Sequence, residues 1–270
     1  MTTPLDLDVT DTADWAGRPL GEREVAWDER DAILFALAVG APAERLDLVF
    51  ERDLAVLPTF ALTLAQWAPD VLGSAGAFDV GTSLHGSQRL EVLAPMPASG
   101  STLMRARVGE VWDKGAAAVF EVVVECAYVR ATWSIFAPGR GGFGGERGPG
   151  RTPAPEGEPV ATVGLDVAAN AAALYRLTGD RHHIHIDPAA AERIGQPRPI
   201  LHGLATLSAA VLAAADVRGA SPADLTLLEG RFSSAVFPGE SLTVPVWADG
   251  SFRVDTERGT AIDGARALFG

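Results

Sequence analysis

The sequence predicts an α+β protein in which antiparallel strands wrap a central helix, with the whole unit occurring twice. Three observations carry this expectation: a Gly/Pro-rich break near mid-chain, one apolar helix-like segment in each half, and a run of strand-patterned segments after each helix. The break covers residues 138–159, where Gly139-Arg140-Gly141-Gly142-Phe143-Gly144-Gly145 is followed by Pro149, Pro153 and Pro155. Glycine admits positive φ and proline removes a ladder donor, so regular structure should stop there. The expected division is an N-terminal unit over residues 1–137, a flexible connector over 138–159 and a C-terminal unit over 160–270. The same pattern also admits other α+β sandwiches.

In chain order, Asp28 is placed to cap a helix running to Val39, with Gly40 just past its end. Phe60, Leu64 and Trp67, after Leu57-Pro58-Thr59, fall at helical spacing, and strands are expected near 88–94, 102–112, 117–129 and 131–137. In the third of these, Phe120, Val122, Val124, Cys126 and Tyr128 share one face and Glu121 and Glu125 the other, the period-2 pattern of a half-buried strand. In the second half, Leu204, Leu207 and Val211 mark a helix beginning near Gly203, followed by strands near 225–235, 241–248 and 251–257. Asp249-Gly250 reads as the two-residue turn of a closing hairpin, and Pro245 marks the first hairpin strand as an edge.

Composition narrows the function. With 270 residues, 47% of them hydrophobic, the chain can bury a large core, and its net charge of -13 argues against nucleic-acid binding, which needs clustered Lys and Arg. Cys126 is the single cysteine, so neither an intrachain disulfide nor a cysteine metal cage is available, which suits a reducing compartment. Met1-Thr2-Thr3-Pro4-Leu5-Asp6 lacks the basic-then-apolar pattern of a secretory leader, and no apolar run reaches the roughly 18 residues of a membrane helix. The expected location is the cytoplasm, with no membrane partner.

Asp180 and His185 stand five apart in a polar segment after Ala171-Ala172-Ala173-Leu174-Tyr175-Arg176-Leu177. A carboxylate and an imidazole held together can share a water and exchange its proton, whereas a solvated surface contact is the plain alternative. Pro199-Ile200-Leu201-His202-Gly203-Leu204 leads into a helix, so the Gly203 N–H could serve a developing oxyanion or simply begin a tightly packed helix. His183-Ile184-His185-Ile186-Asp187 has the spacing of binuclear metal hydrolases, but only His202 follows and too few ligands remain, so no metal is expected. Lys114, the only lysine among 22 basic residues, lies in a turn-like Asp113-Lys114-Gly115. Taken singly, it reads as a surface lysine, His85 as a core or surface histidine and Phe232 as a core aromatic.

Several ordered segments together resemble a known family. Tyr175-Arg176-Leu177-Thr178-Gly179-Asp180-Arg181-His182-His183-Ile184-His185-Ile186-Asp187 is similar to the hydratase 2 motif of the MaoC-like, (R)-specific enoyl-CoA hydratases, and Pro199 to Leu204 is similar to its second element. Leu57-Pro58-Thr59-Phe60, Leu84-His85-Gly86-Ser87-Gln88, Asp113-Lys114-Gly115, Gly141 to Gly145 and Arg231-Phe232 through Val236-Phe237-Pro238-Gly239-Glu240 extend the likeness to the two-domain form. The resemblance implies a double hotdog fold, two antiparallel sheets each wrapped around a central helix, with a degenerate N-terminal domain accommodating the acyl chain and a catalytic C-terminal one. It further implies Asp180 and His185 as the catalytic pair, the Gly203 N–H as oxyanion donor, and His85, Gly86, Lys114, His182 and Phe232 around an acyl-CoA. Lys114 would pair with coenzyme A phosphates.

The implied reaction is reversible hydration of a trans-2-enoyl-CoA to the (R)-3-hydroxyacyl-CoA, with no cofactor beyond the coenzyme A carried by the substrate. Where the family usually has Asn and Pro, this chain has His182 and His183, which puts rate and substrate range in question. The alternatives are a hotdog acyl-CoA thioesterase and a non-catalytic acyl-CoA-binding subunit. Two fused units can complete the usual pair within one chain, and a further homodimer is the expected assembly.

Overall fold

Asp28 caps the first long helix as its sequence requires. Its carboxylate accepts the Asp31 N–H at 3.0 Å and the Asp31 carboxylate accepts the Asp28 N–H at 3.1 Å, a reciprocal box opening α1 (Glu29–Ala38), with Gly40 at φ 92° beyond the end. The computed structural model describes residues 11–270, so the expectation of no secretory leader at Met1–Asp6 falls outside the described residues.

The first half supplies β1 (Pro19–Trp27), α1, α2 (Leu46–Val49), α3 (Phe60–Ala65), α4 (Trp67–Ser74), β2 (Leu84–Val92), β3 (Gly100–Asp113), β4 (Ala117–Glu125) and β5 (Val129–Pro138). The second supplies β6 (Ala161–Asp166), α5 (Ala171–Tyr175), α6 (Pro188–Arg193), α7 (Gly203–Arg218), β7 (Leu225–Phe232), β8 (Ser241–Val246), β9 (Ser251–Thr256) and β10 (Gly259–Phe269). Among the described residues the strands form one 10-stranded antiparallel sheet, ordered β1-β3-β4-β5-β2-β7-β10-β9-β8-β6. Read outward from the centre, each half repeats one order, so the duplication is topological. The two expected sheets meet edge to edge where Ser87 pairs with Arg231 and Leu90 with Leu228, leaving neither β2 nor β7 as an open edge.

The sheet wraps apolar helices. Every residue of α7 from Leu204 to Ala215 is buried, so this helix is apolar all round, and Gly219 closes it in the left-handed conformation at φ 63°. The corresponding helix of the first half is interrupted at Gln66, where α3 gives way to α4. Pro69 has no N–H to offer the carbonyl of Ala65, which accounts for the interruption. The core runs through both halves, with the ring of Phe35 lying 5.4 Å from Phe60 and 6.0 Å from Tyr175.

Four expectations need correction. Residues 139–160 carry no regular structure, but they are pinned rather than flexible. The Asp113 carboxylate accepts N–H groups from Gly115 at 2.8 Å, Gly142 at 2.9 Å and Gly144 at 2.8 Å, and these donors hold its carboxyl below the usual range. Gly142 at φ 82° and Gly144 at φ 79° provide the backbone that aims two N–H groups at one carboxylate. Cys126 and Tyr128 lie in the tight β4–β5 turn rather than on the strand, since the Cys126 N–H already closes on the Val129 carbonyl. Pro245 does not mark an edge, because β6 pairs along β8 outside it. Finally, β1, β6 and β10 are strands with no counterpart in the sequence-based expectation.

Candidate active site

The loop carrying Asp180 is shaped by the other half of the chain. After α5 and a short turn at Arg176–Thr178, Gly179 sits at φ 154°, and a Cβ there would lie 3.0 Å from the carbonyl oxygen of Thr63 in α3. Glycine lets the loop pass against the first half's central helix. The half-buried Asp180 then accepts the His182 N–H at 3.0 Å, closing a local turn.

His185 ends the following turn and is 7% exposed. Its Nδ1 lies 2.9 Å from the Ile200 carbonyl, an acceptor, so Nδ1 carries the hydrogen and Nε2 the lone pair. Burial pulls this imidazole below its ordinary value, partly offset by Asp180 and the Ile200 carbonyl, and His185 is therefore a neutral acceptor. An oxygen of Asp180 and one ring nitrogen each from His185 and His202 lie within 4.8 Å of one another. A water hydrogen-bonded at about 2.8 Å to its partners fits that spacing.

Gly203 opens α7 beside them. Its N–H has no backbone acceptor among the described residues, and as the first N–H of a helix it has none within the helix either. A Cβ at Gly203 would come within 2.9 Å of the Phe232 ring, so glycine permits that ring to close over the helix tip. Phe232 in turn meets the His85 ring at 4.7 Å, across the β2–β7 seam. Gly86 is skipped in the β2–β5 register, a bulge that redirects the neighbouring His85 side chain. The His85 Nε2–H donates to the Ser87 carbonyl at 3.1 Å, and burial lowers its pKa to about 4, against a smaller raising effect of Asp180.

The structure therefore brings Asp180, His185, Gly203, Phe232, His85 and Gly86 to one region. His182 is exposed at its margin, with its ring 6.3 Å from His185. Lys114 is engaged elsewhere: its ammonium donates to the carbonyls of Arg147 and Pro149, fastening the connector. The metal spacing of His183, His185 and Asp187 does not form a site, since Asp187 instead caps α6 by accepting the Ala189 N–H at 2.9 Å. Asp180, His185 and His202 do lie close enough to share an ion. The two imidazoles, however, are stacked at 3.6 Å with planes 23° apart, so their in-plane lone pairs do not converge as tetrahedral ligation demands.

Two residues of this region were assigned no role from the sequence. His202 stands in the quoted Pro199–Leu204 element, and its place directly before Gly203 was the available signal. Asp70, on α4, is exposed by its accessible surface, yet desolvation by the surrounding atoms first and the Asp180 charge second raise its carboxyl above the ordinary value. Nothing local in the sequence announces that electrostatic coupling between halves.

Residues 26–137 match the MFE-2 hydratase 2 N-terminal domain, and residues 151–265 match the MaoC like domain. Enoyl-CoA hydratase ChsH3 of Mycobacterium tuberculosis is 38% identical over 99% of this chain and 98% of its own length. A MaoC-like dehydratase from Phytophthora capsici superposes with a TM-score of 0.84 at 24% identity, covering 94% of this chain and 96% of that one. A Mycobacterium tuberculosis protein described as having a double hotdog fold aligns with a TM-score of 0.54 at 15% identity over 94% of each chain.

Proposed function

The chain belongs to the MaoC-like hydratase 2 family in its two-domain, double hotdog form, and from that premise we propose that it reversibly hydrates a trans-2-enoyl-CoA to the (R)-3-hydroxyacyl-CoA. The observation that carries the reading is the convergence of a carboxylate, a neutral imidazole and a helix-tip N–H without an acceptor. Water held between Asp180 and His185 loses a proton to the pair as its oxygen bonds to C3. The C2=C3 pair of electrons moves toward the thioester, whose oxygen takes the Gly203 N–H, and C2 then receives a proton. The elements of water are thus added across one double bond, and the reverse course is dehydration.

In this reading His85, Gly86, Phe232 and His182 border the acyl-CoA. Lys114, whose ammonium fastens the connector and has no carboxylate partner within 4.0 Å among the described residues, is assigned the coenzyme A phosphates on the family resemblance alone. Residues 160–270 form the catalytic unit, residues 1–137 the accommodating one, and 138–159 the strap between them. The scheme calls for no metal or redox group, and coenzyme A enters as part of the substrate. Among the described residues no helix is long and apolar enough to cross a membrane. A cytoplasmic location and a homodimer complete the reading, to be checked by fractionation and light scattering.

The test is incubation of purified protein with crotonyl-CoA and longer trans-2-enoyl-CoAs, following loss of the conjugated thioester and release of free thiol. Loss of conjugation without thiol is expected. Thiol release would make the protein a thioesterase, and binding without turnover at any chain length would leave it a carrier.

A further inference from the structure

We infer that His202 is a positioning residue for the proposed hydration, holding Asp180 and His185 in register through its ring face and its Nε2–H; the inference rests on that reaction. His202 is 1% exposed. Its ring lies on that of His185 with centroids 3.6 Å apart, and it also packs against Tyr175 at 4.6 Å. Its Nε2 is 3.1 Å from the main-chain carbonyl of Asp180, which can only accept, so Nε2 bears the hydrogen. One side chain thus braces the backbone of the proposed acid and the ring of the proposed base.

The same residue fixes the helix tip. His202 is the extended N-cap of α7, and its carbonyl accepts the Thr206 N–H at 3.1 Å, directly before the Gly203 N–H proposed to meet the substrate oxygen. All three functional elements therefore meet at one residue, Asp180 and His185 through its imidazole and the helix tip through its backbone.

A packing role alone does not account for this choice of residue. With hydrogen on Nε2, the Nδ1 lone pair is left buried with no partner, a penalty that a phenyl ring in the same stack would avoid. What the imidazole adds over phenyl is the donor to the Asp180 carbonyl. The titratable and charged groups facing His185 are Asp180, His182 and His202, and those facing His202 are His185, Asp180 and Arg176. Burial holds both rings below their ordinary value, with His182 a smaller lowering cause at His185 and His185 one at His202, and the stacked His202 ring is part of what buries His185.

The experiment compares His202→Phe and His202→Gln with wild type in kcat, KM, thermal midpoint and the NMR titration of the His185 ring, which is tractable with five histidines in the chain. His202→Phe preserves the apolar stack and deletes the donor. It should lower kcat about tenfold, the scale of one lost hydrogen bond, with KM within about twofold and the His185 titration unmoved. His202→Gln preserves an N–H for the Asp180 carbonyl and opens the stack. It should keep more of kcat above pH 7, while the His185 titration and the acid limb of kcat both move to higher pH.

Wild-type kcat and wild-type His185 titration in both variants would overturn the inference. So would equal losses that track a lowered thermal midpoint with His185 titrating as before. Should His202→Phe fail to fold, the His185 titration in His202→Gln decides. A wild-type protein that hydrates no enoyl-CoA defeats the proposed function, and the His185 titration still reads the brace.

Discussion

The two halves share a strand order and differ at the tip of the central helix. In the first half the N–H groups that open α3 are consumed: Phe60 donates to Leu57 at 2.9 Å, Ala61 to Pro58 at 3.1 Å and Leu62 to Thr59 at 3.1 Å. In the second half Gly203 opens α7 with its N–H unspent among the described residues. The segments before the two helices, α2 in the first half and the Asp180 loop in the second, also differ. Asp47 of the first half is clamped by Arg45 at 2.8 Å, while Asp180 of the second faces two imidazoles. In the proposed reading, a common scaffold becomes reactive where the helix tip is left open and a neutral base is built beside it.

The sharpest way to break this contrast is His185→Ala, which removes the base while α7 and its N–H stay in place. Loss of a positioned proton acceptor should lower kcat about 10²–10⁴-fold with little change in KM, measured as enoyl-CoA consumption. Gly203→Ala comes next. Its methyl must push the Phe232 ring from 2.9 Å, widening the gap between donor and substrate oxygen, and kcat should fall roughly 10–100-fold. A Gly203→Ala enzyme with unchanged kcat would detach the helix tip from catalysis.

A smaller effect concerns stability. His85 is held near 4 against an ordinary 6.5, and His185 and His202 are also lowered, so the unfolded chain binds protons that the folded chain does not. Stability from these groups is complete above about pH 6.5 and is lost as pH falls toward 4. The thermal midpoint should drop on acidification through that window, and His85→Gln should remove a few degrees of the drop. A midpoint flat from pH 7 to 4.5 would contradict the burial argument. The smallest effect is expected from Lys114→Met, a roughly threefold rise in KM with kcat unchanged, fading at high salt.

Local chemistry was legible in the sequence, and long-range contact was not. Asp28 as a cap, a hairpin turn at Asp249-Gly250, which the structure widens to residues 247–250, and the apolar start of α7 were readable because each depends on neighbours within a few residues. The Asp180, His185 and Gly203 cluster was reached through motif likeness, since nothing in spacing alone brings residues 180 and 203 together. The edge strand β6 escaped because its residues alternate between half-buried and exposed, with none fully buried to sharpen the period. The connector was misjudged because the Asp113 carboxylate that pins Gly142 and Gly144 lies about 30 residues upstream. Likewise, Pro245 could not reveal that a strand some 80 residues earlier covers its own.

The most direct test of the contrast between halves is to measure kcat for trans-2-enoyl-CoA hydration in Asp180→Asn and Asp47→Asn proteins side by side. Asp180→Asn should lose at least about 10²-fold while Asp47→Asn stays within about twofold of wild type. Equal activity in the two variants, or a loss confined to Asp47→Asn, would contradict the account.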